Sequence, residues 1–306
     1  MPKMLSYVLK RLLLGVLSIF IIITITFFIM HAVPGGPFNS EKAVTATTKA
    51  ALEAKYGLNK PLGEQYLTYL KDIVTKFDFG PSLKQRGRMV QDIIMEGFAV
   101  SAKLGLTAAG LAIVFGMTLG SVAALNRNKF IDRVIMIVTT AFVAMPSFIV
   151  GTFLLLVFCV NVGWFPANGD AAGGLVLPII TLMLYPIAYI TRLTRSSMLD
   201  VLGQDYIRTA NAKGVSSGML VFKLELKNAC IPVITYAGPM IAFIVTGSLV
   251  VEQIFAVPGI GRKFVQSIIN RDHTLIMGTT IFLAVLIIVM TLVCDILYEV
   301  VDPRMD

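Results

Sequence analysis

Long apolar runs alternate with short polar segments along this chain. A helix that crosses a bilayer needs about 20 mostly apolar residues. Six runs meet that length: 12–30, 104–125, 134–160, 173–191, 229–251 and 275–293. The pattern predicts an all-α membrane protein with six transmembrane helices. The first run follows Lys10 and Arg11, as the apolar part of a secretory signal would. It is longer than such a core and leads into His31-Ala32-Val33-Pro34-Gly35-Gly36-Pro37, with no small-x-small cleavage site. It is therefore read as a retained span.

Residues 38–98 break the pattern. Turn signals at Gly57, Asn59-Lys60-Pro61 and Gly80-Pro81 bracket 50–56 and 65–74, whose spacing suits short amphipathic helices. Three regions follow: residues 1–37, the N-terminus and first span; 38–98, an extracellular helical insertion; and 99–306, a five-helix core with a polar loop at about 192–228. Pro146, Pro178, Pro186, Pro232 and Pro239 lie in or near the spans. Membrane helices tolerate them where neighbours satisfy the freed backbone groups. Gly116 and Gly120 form a GxxxG that permits close helix approach. Internal packing and a contact between subunits both fit it.

Composition supports the membrane class. The 306 residues are 56% hydrophobic and 14% charged, with mean hydropathy +0.81, whereas soluble domains carry roughly 25% charged residues. The net charge of +8 is read as a topology signal rather than a nucleic-acid footprint, because basic residues gather in loops without interleaved aromatics. Lys3, Lys10 and Arg11 lie at the N-terminus, and Arg127, Lys129 and Arg133 in the loop 126–133. Six basic residues fall in 192–228, while 161–172 has none. Both termini and the 192–228 loop are expected in the cytoplasm.

Several chemistries are excluded. Three cysteines give no disulfide framework, and two distant histidines give no metal-ligand spacing. The dipeptide Gly-Lys is absent, so the chain holds no P-loop and is not expected to be an enzyme. The apolar cores carry no charged relay residues of the kind that ion-coupled carriers use. What remains is a pathway without its own energy source.

The polar segment 203–228 reads GQDYIRTANAKGVSSGMLVFKLELKN. Asp205 can cap a helix over 206–213, and Gly214 suits the left-handed position that ends it. Ser216 or Ser217 can start a second helix running to Asn228. Tyr206, Ala210 and Lys213 share one face, and Ala210 and Ala212 keep the helix slim enough for a groove on another protein. An interfacial helix on anionic lipid is the alternative.

At these residues the chain resembles the permease subunits of bacterial ABC importers. Their coupling loop reads Glu-Ala-Ala-x-x-x-Gly, followed by Ile-x-Leu-Pro; here Arg208-Thr209-Ala210 and Gly214 align with the first part. Leu224 and Leu226 fall on the Ile and Leu positions, and Lys227 stands where the proline would be. Asp205-Tyr206-Ile207-Arg208-Thr209-Ala210-Asn211-Ala212-Lys213-Gly214 is similar to the form in the oligopeptide, dipeptide and nickel branch, as is Leu226-Lys227-Asn228-Ala229 through Thr235. The branch's usual His is replaced by Leu224-Glu225. Tyr56 to Leu62, Phe77-Asp78-Phe79-Gly80, Glu252 to Arg262, Asn270-Arg271-Asp272 and Asp302-Pro303-Arg304 extend the likeness over the whole chain. Pro34-Gly35-Gly36-Pro37-Phe38 resembles the oligopeptide members more than the others.

The resemblance implies a type I importer permease fold in the bacterial plasma membrane. It implies a second homologous permease, two ATPase subunits, a lipid-anchored or periplasmic binding protein outside, and a peptide cargo. ATP and Mg would belong to the partners, leaving no cofactor in this chain. Asp205, Tyr206, Ile207, Arg208, Thr209, Ala210, Lys213 and Gly214 would couple to an ATPase. Val257, Pro258, Gly259, Ile260, Gly261, Arg262, Arg271 and Asp272 would either contact the binding protein or pack on their own bundle. A dipeptide or nickel-chelate importer, and a stand-alone channel or secondary carrier, are the alternatives.

Overall fold

The computed structural model describes residues 2–33, 54, 57–216, 219–220 and 226–301. The expectations for 34–38, for most of 50–56 and for 302–304 lie outside the described residues. The helices are α1 (Pro2–Ala32), α2 (Leu62–Lys76), α3 (Val90–Leu125), α4 (Phe130–Ala144) and α5 (Ser147–Leu154), which passes into a π-helical segment, Leu155–Asn161. There follow α6 (Val176–Leu202), α7 (Asp205–Ala212), α8 (Leu226–Val245), α9 (Leu249–Ile254), α10 (Ile260–Ile269) and α11 (His273–Val301). Among the described residues, five stretches are long and apolar enough to cross a membrane, Leu9–Ala32, Val90–Leu125, Val176–Leu202, Ala229–Ile254 and His273–Cys294, and a bent helix pair would make six if it is one span.

The sixth expected span, 134–160, is not one helix. It is split into α4 and α5, which meet at 101°. Pro146 has no N–H to donate, and its ring pushes the preceding residue out of the helical region. Met145 accordingly sits at φ −88°, ψ 123°. Pro186 in α6 and Pro232 and Pro239 in α8 are instead carried inside continuous helices. The span 229–251 also breaks, at Gly247 with φ 92°. Ser248 then caps α9, its Oγ accepting from the Val251 N–H at 3.2 Å.

The chain forms two compact units. The first comprises residues 1–99 and 259–289. In it, Phe27 and Met30 of α1 pack with Ile276 and Met277 of α11 and with Tyr66 and Tyr69 of α2. Ile23, Ile73 and Ile281 extend that seam. Val90, Ile93 and Ile94 of α3 bury against Ile260 and Leu275.

The second unit comprises residues 100–258 and 290–306. Ala109 and Ala112 of α3, Ile187 and Ile190 of α6, and Val233 and Met240 of α8 share one core. Leu104, Leu177, Val251, Phe255 and Val257 form another. The Gly116/Gly120 pair belongs to this interior. A Cβ added at Gly116 would lie 2.7 Å from the Ile190 Cβ, and one at Gly120 would lie 2.6 Å from the Thr191 carbonyl oxygen. The pair is the notch through which α3 and α6 meet within the chain.

Candidate coupling surface

Helix α6 does not stop at the expected 191 but continues to Leu202. Thr191, Thr194 and Met198 keep the extension buried on one side. Arg195 donates from Nε to Asp132 Oδ1 at 2.6 Å and from Nη2 to Oδ2 at 2.7 Å. Asp132 Oδ2 also accepts from the Asn128 N–H at 2.9 Å. This ties the 126–133 loop to α6. Ala124, Met198 and Ala229 close a small core at the same end.

Two residues later the chain starts α7. Asp205 is already its first helical residue and not the cap expected from its side chain. The Gln204 carbonyl instead accepts from the N–H groups of Ile207 at 3.1 Å and Arg208 at 3.3 Å. Turning one position earlier leaves the Asp205 carboxylate exposed, 3.8 Å from Arg208 Nη1. An acid in the first turn still suits the positive end of the helix dipole. Thr209 Oγ1 donates to the Asp205 carbonyl at 2.9 Å.

Among the described side chains of this helix, one is buried. Ile207 is 6% exposed, whereas Tyr206, Arg208, Thr209 and Lys213 are exposed and Ala210 is half-buried. The helix ends as expected: Gly214 has φ 78°, and the Val215 N–H reaches back to the Ala210 carbonyl at 3.2 Å. That six-to-one bond defines a Schellman turn, which favours glycine at the left-handed position. The Leu220 N–H donates to the Ser216 carbonyl at 3.0 Å. Residues 221–225 lie outside the described residues. The result is a short, largely exposed helix, held by one apolar peg at the end of a long rigid one. It offers no catalytic constellation, but it can be gripped.

The residues singled out near the other loop are mostly interior. Val257 is buried in the second unit, where a Cβ on Gly169 would lie 2.4 Å from its Cγ2. In the first unit, Gly259, Ile260, Gly261 and Asp272 are buried. Asp272 Oδ1 accepts from the N–H groups of Leu83 at 3.2 Å and Leu275 at 3.3 Å, and from Thr274 Oγ1 at 3.1 Å. Its Oδ2 accepts from Ser82 Oγ. Asp272 thus caps α11 and ties down the loop before α3, so it is not a surface contact. Pro258 and Arg262 are half-buried, and Arg271 is exposed at φ 55°.

Two family profiles match the chain. The binding-protein-dependent transport system inner membrane component profile covers residues 116–306. The corresponding N-terminal profile covers residues 4–103. The chain belongs to this family of binding-protein-dependent transport components.

Relatives of this transport component match over nearly its whole length. It is 46% identical over 302 residues to the dipeptide transport system permease protein of Bacillus subtilis, covering 98% of both chains. It is 43% identical over 304 residues to the oligopeptide transport system permease protein of Haemophilus influenzae, covering 98% of this chain and 99% of that one. Among solved structures, inward-facing conformations of a methionine ABC transporter match with TM-score 0.58 at 19% identity. The match covers 69% of this chain and 97% of that one. That likeness shows the fold, one shared with the membrane chain of an ABC transporter; the inner-membrane location follows from the family match.

The transport component carries two features that sequence reasoning missed. No spacing rule connects Asp132 with Arg195, which are 63 positions apart. Glu252 reads as a span-edge residue in the sequence, yet it is 0% exposed and accepts from Ser101 Oγ at 2.7 Å. An acidic residue beside an apolar run was the available signal in each case.

Proposed function

We propose that this chain forms half of the translocation pathway of an ATP-driven importer for oligopeptides delivered by an external binding protein. The observation that carries the reading is α7: a short exposed helix pegged by Ile207 and closed at Gly214. Its partner would be an ATPase subunit, with a cleft that takes Tyr206, Ala210 and Lys213 and acidic groups that meet Arg208 and Lys213. A second homologous permease completes the pathway, and two ATPases carry the ATP and Mg. Both chain termini and α7 lie in the cytoplasm in this reading. ATP binding draws the two coupling helices together and opens the pathway outward; hydrolysis resets it. Asp205 to Gly214 transmit force and perform no chemistry. Arg271 and Arg262 are the basic groups that would meet the binding protein.

The relatives named for dipeptides and for oligopeptides match at similar identity, 46% and 43%. The proposed cargo class is therefore short peptides, and a dipeptide preference is the second reading. Gly214→Pro and Ala210→Trp test the coupling role in the assembled complex. Both should insert normally yet lose peptide uptake and peptide-stimulated ATP hydrolysis. Wild-type rates in either variant would remove α7 from the mechanism.

A further inference from the structure

Helix α6 is packed on nearly every side and leaves one line of residues uncovered. After Val176 its exposed positions are Tyr185, Tyr189, Ser196 and Asp200, with half-buried Arg192 between them. Spacings of four, seven, eleven and fifteen from Tyr185 put all of them on one helical face. Tyr185 and Tyr189 are 52% and 42% exposed. They lie roughly 14 and 20 Å along the helix from Val176, within the depth of a hydrocarbon layer about 30 Å thick.

The other spans expose mainly apolar side chains, and exposed hydroxyls such as Thr107 and Thr118 of α3 are turned back onto carbonyls of their own helix. Leu13, Val16, Ile25 and Ile29 of α1 are exposed, as are Ile137 of α4 and Ile234 of α8. Such faces suit lipid. A line of phenols, a guanidinium and a hydroxyl does not, because polar groups at membrane depth face a bundle interior or a water-filled cavity.

The line is also held in place. The Tyr189 ring stacks on Tyr236 of α8, with centroids 4.2 Å apart and planes at 29°. Arg192 Nη2 donates to Thr140 Oγ1 of α4 at 2.8 Å, while its Nε makes no hydrogen bond among the described residues. Arg195 is paired with Asp132, but Arg192 has no such carboxylate among the described residues. Among the described residues, only the Thr140 hydroxyl answers its positive charge.

We infer that Tyr185, Tyr189, Arg192 and Ser196, flanked by Thr140 and Tyr236, are this chain's wall of the transport pathway. Arg192 is the group on that wall that receives the C-terminal carboxylate of a peptide in transit. The inference rests on the peptide-importer reading. The chemistry fits it: a guanidinium fork matches a carboxylate through two parallel hydrogen bonds. Phenol rings offer an apolar face and a hydroxyl together, which tolerates varied peptide side chains.

The test uses the whole importer with its binding protein in proteoliposomes, after Cys159, Cys230 and Cys294 have been replaced. A charged methanethiosulfonate should label Tyr185→Cys, Tyr189→Cys and Ser196→Cys faster than Ile25→Cys, and trialanine should slow that labelling. Rates no faster than at Ile25→Cys, or indifferent to trialanine, would put the line against lipid or a second subunit and overturn the inference. Arg192→Gln should raise the KM for trialanine roughly tenfold or more, the loss of a charge-assisted contact. It should leave trialanine amide unchanged, and Arg192→Lys should keep most of the difference between the two peptides. Equal effects on both peptides would remove the carboxylate role. If the wild-type importer takes up neither peptide, that role falls with the peptide reading, and labelling against Ile25→Cys alone decides the wall.

Discussion

Arg195 holds both carboxylate oxygens of Asp132, at 2.6 and 2.7 Å, across 63 positions of sequence. Asp132 is 3% exposed, so removing its partner strands a charge with little water to solvate it. Arg195→Gln should cost about 1 to 3 kcal/mol of stability, less than for a deeply buried pair, because Arg195 is 22% exposed and Asp132 keeps the Asn128 N–H. The double replacement Asp132→Leu with Arg195→Met should recover much of that loss, because it leaves no orphan charge. Thermal unfolding of the purified complex reads both effects. A single variant as stable as the wild type would show that the pair does not hold the loop.

The notch between α3 and α6 gives a second expectation. Gly120→Val would push side-chain atoms into the Thr191 carbonyl oxygen and the Thr194 Cβ, each 2.6 Å from the point a Cβ on that glycine would occupy. Overpacking of that kind costs about 1 to 3 kcal/mol. Gly110→Ala on the same helix is the control. A Cβ there meets nothing within 4 Å, and helix propensity alone favours alanine by up to about 1 kcal/mol. Melting temperatures should move in opposite directions.

Asp272 offers a third. Its carboxylate takes donors from Ser82, Leu83, Thr274 and Leu275, so one side chain both caps α11 and secures the loop before α3. Asp272→Ala should destabilise by about 2 to 3 kcal/mol. Limited proteolysis should open the loop around residues 82–88 before the rest of the chain. Ser82→Ala, which removes one donor, should cost about 1 kcal/mol. Unchanged cleavage in both variants would contradict the assignment.

Lys263 sets a pH dependence. Burial lowers its ammonium below the ordinary lysine value; Glu96 opposes the fall, while Arg88 and Arg262 add to it. The folded state therefore binds this proton less tightly than the unfolded state. The charge costs stability near neutral pH, and the cost fades as pH rises toward the ordinary lysine value and the group loses its proton in both states. Lys263→Met should stabilise the protein near neutral pH, with an advantage that shrinks as pH is raised. Melting curves across that range would show it, and an advantage that grows with pH would reverse the sign.

The middles of the spans were legible because a bilayer demands an unbroken apolar run, and nothing else in the chain resembles one. Their ends were not. Helix α3 begins at Val90, not 104, and α6 ends at Leu202, not 191. Beyond the apolar layer a helix is stopped by caps and packing, which hydropathy does not record. Proline was ambiguous for a related reason. Pro146 breaks its run, while Pro186, Pro232 and Pro239 do not, and hydropathy scores both kinds alike. Gly214 was readable because a left-handed turn after a short helix has few other solutions. The position of Asp205 was not, since a helix start can shift by one residue without changing its composition.

The length of α6 has a mechanical consequence. Its 27 residues make a rod about 40 Å long, roughly 10 Å longer than the hydrocarbon layer. Gly120 bears on it close to Thr194, eight residues before its end. The contact at Gly120 therefore divides the rod into a short arm toward α7 and a long arm toward Val176. In the coupling role proposed for α7, a push delivered through Ile207 at the short arm would become a larger swing of the long arm, which carries Tyr185 and Tyr189.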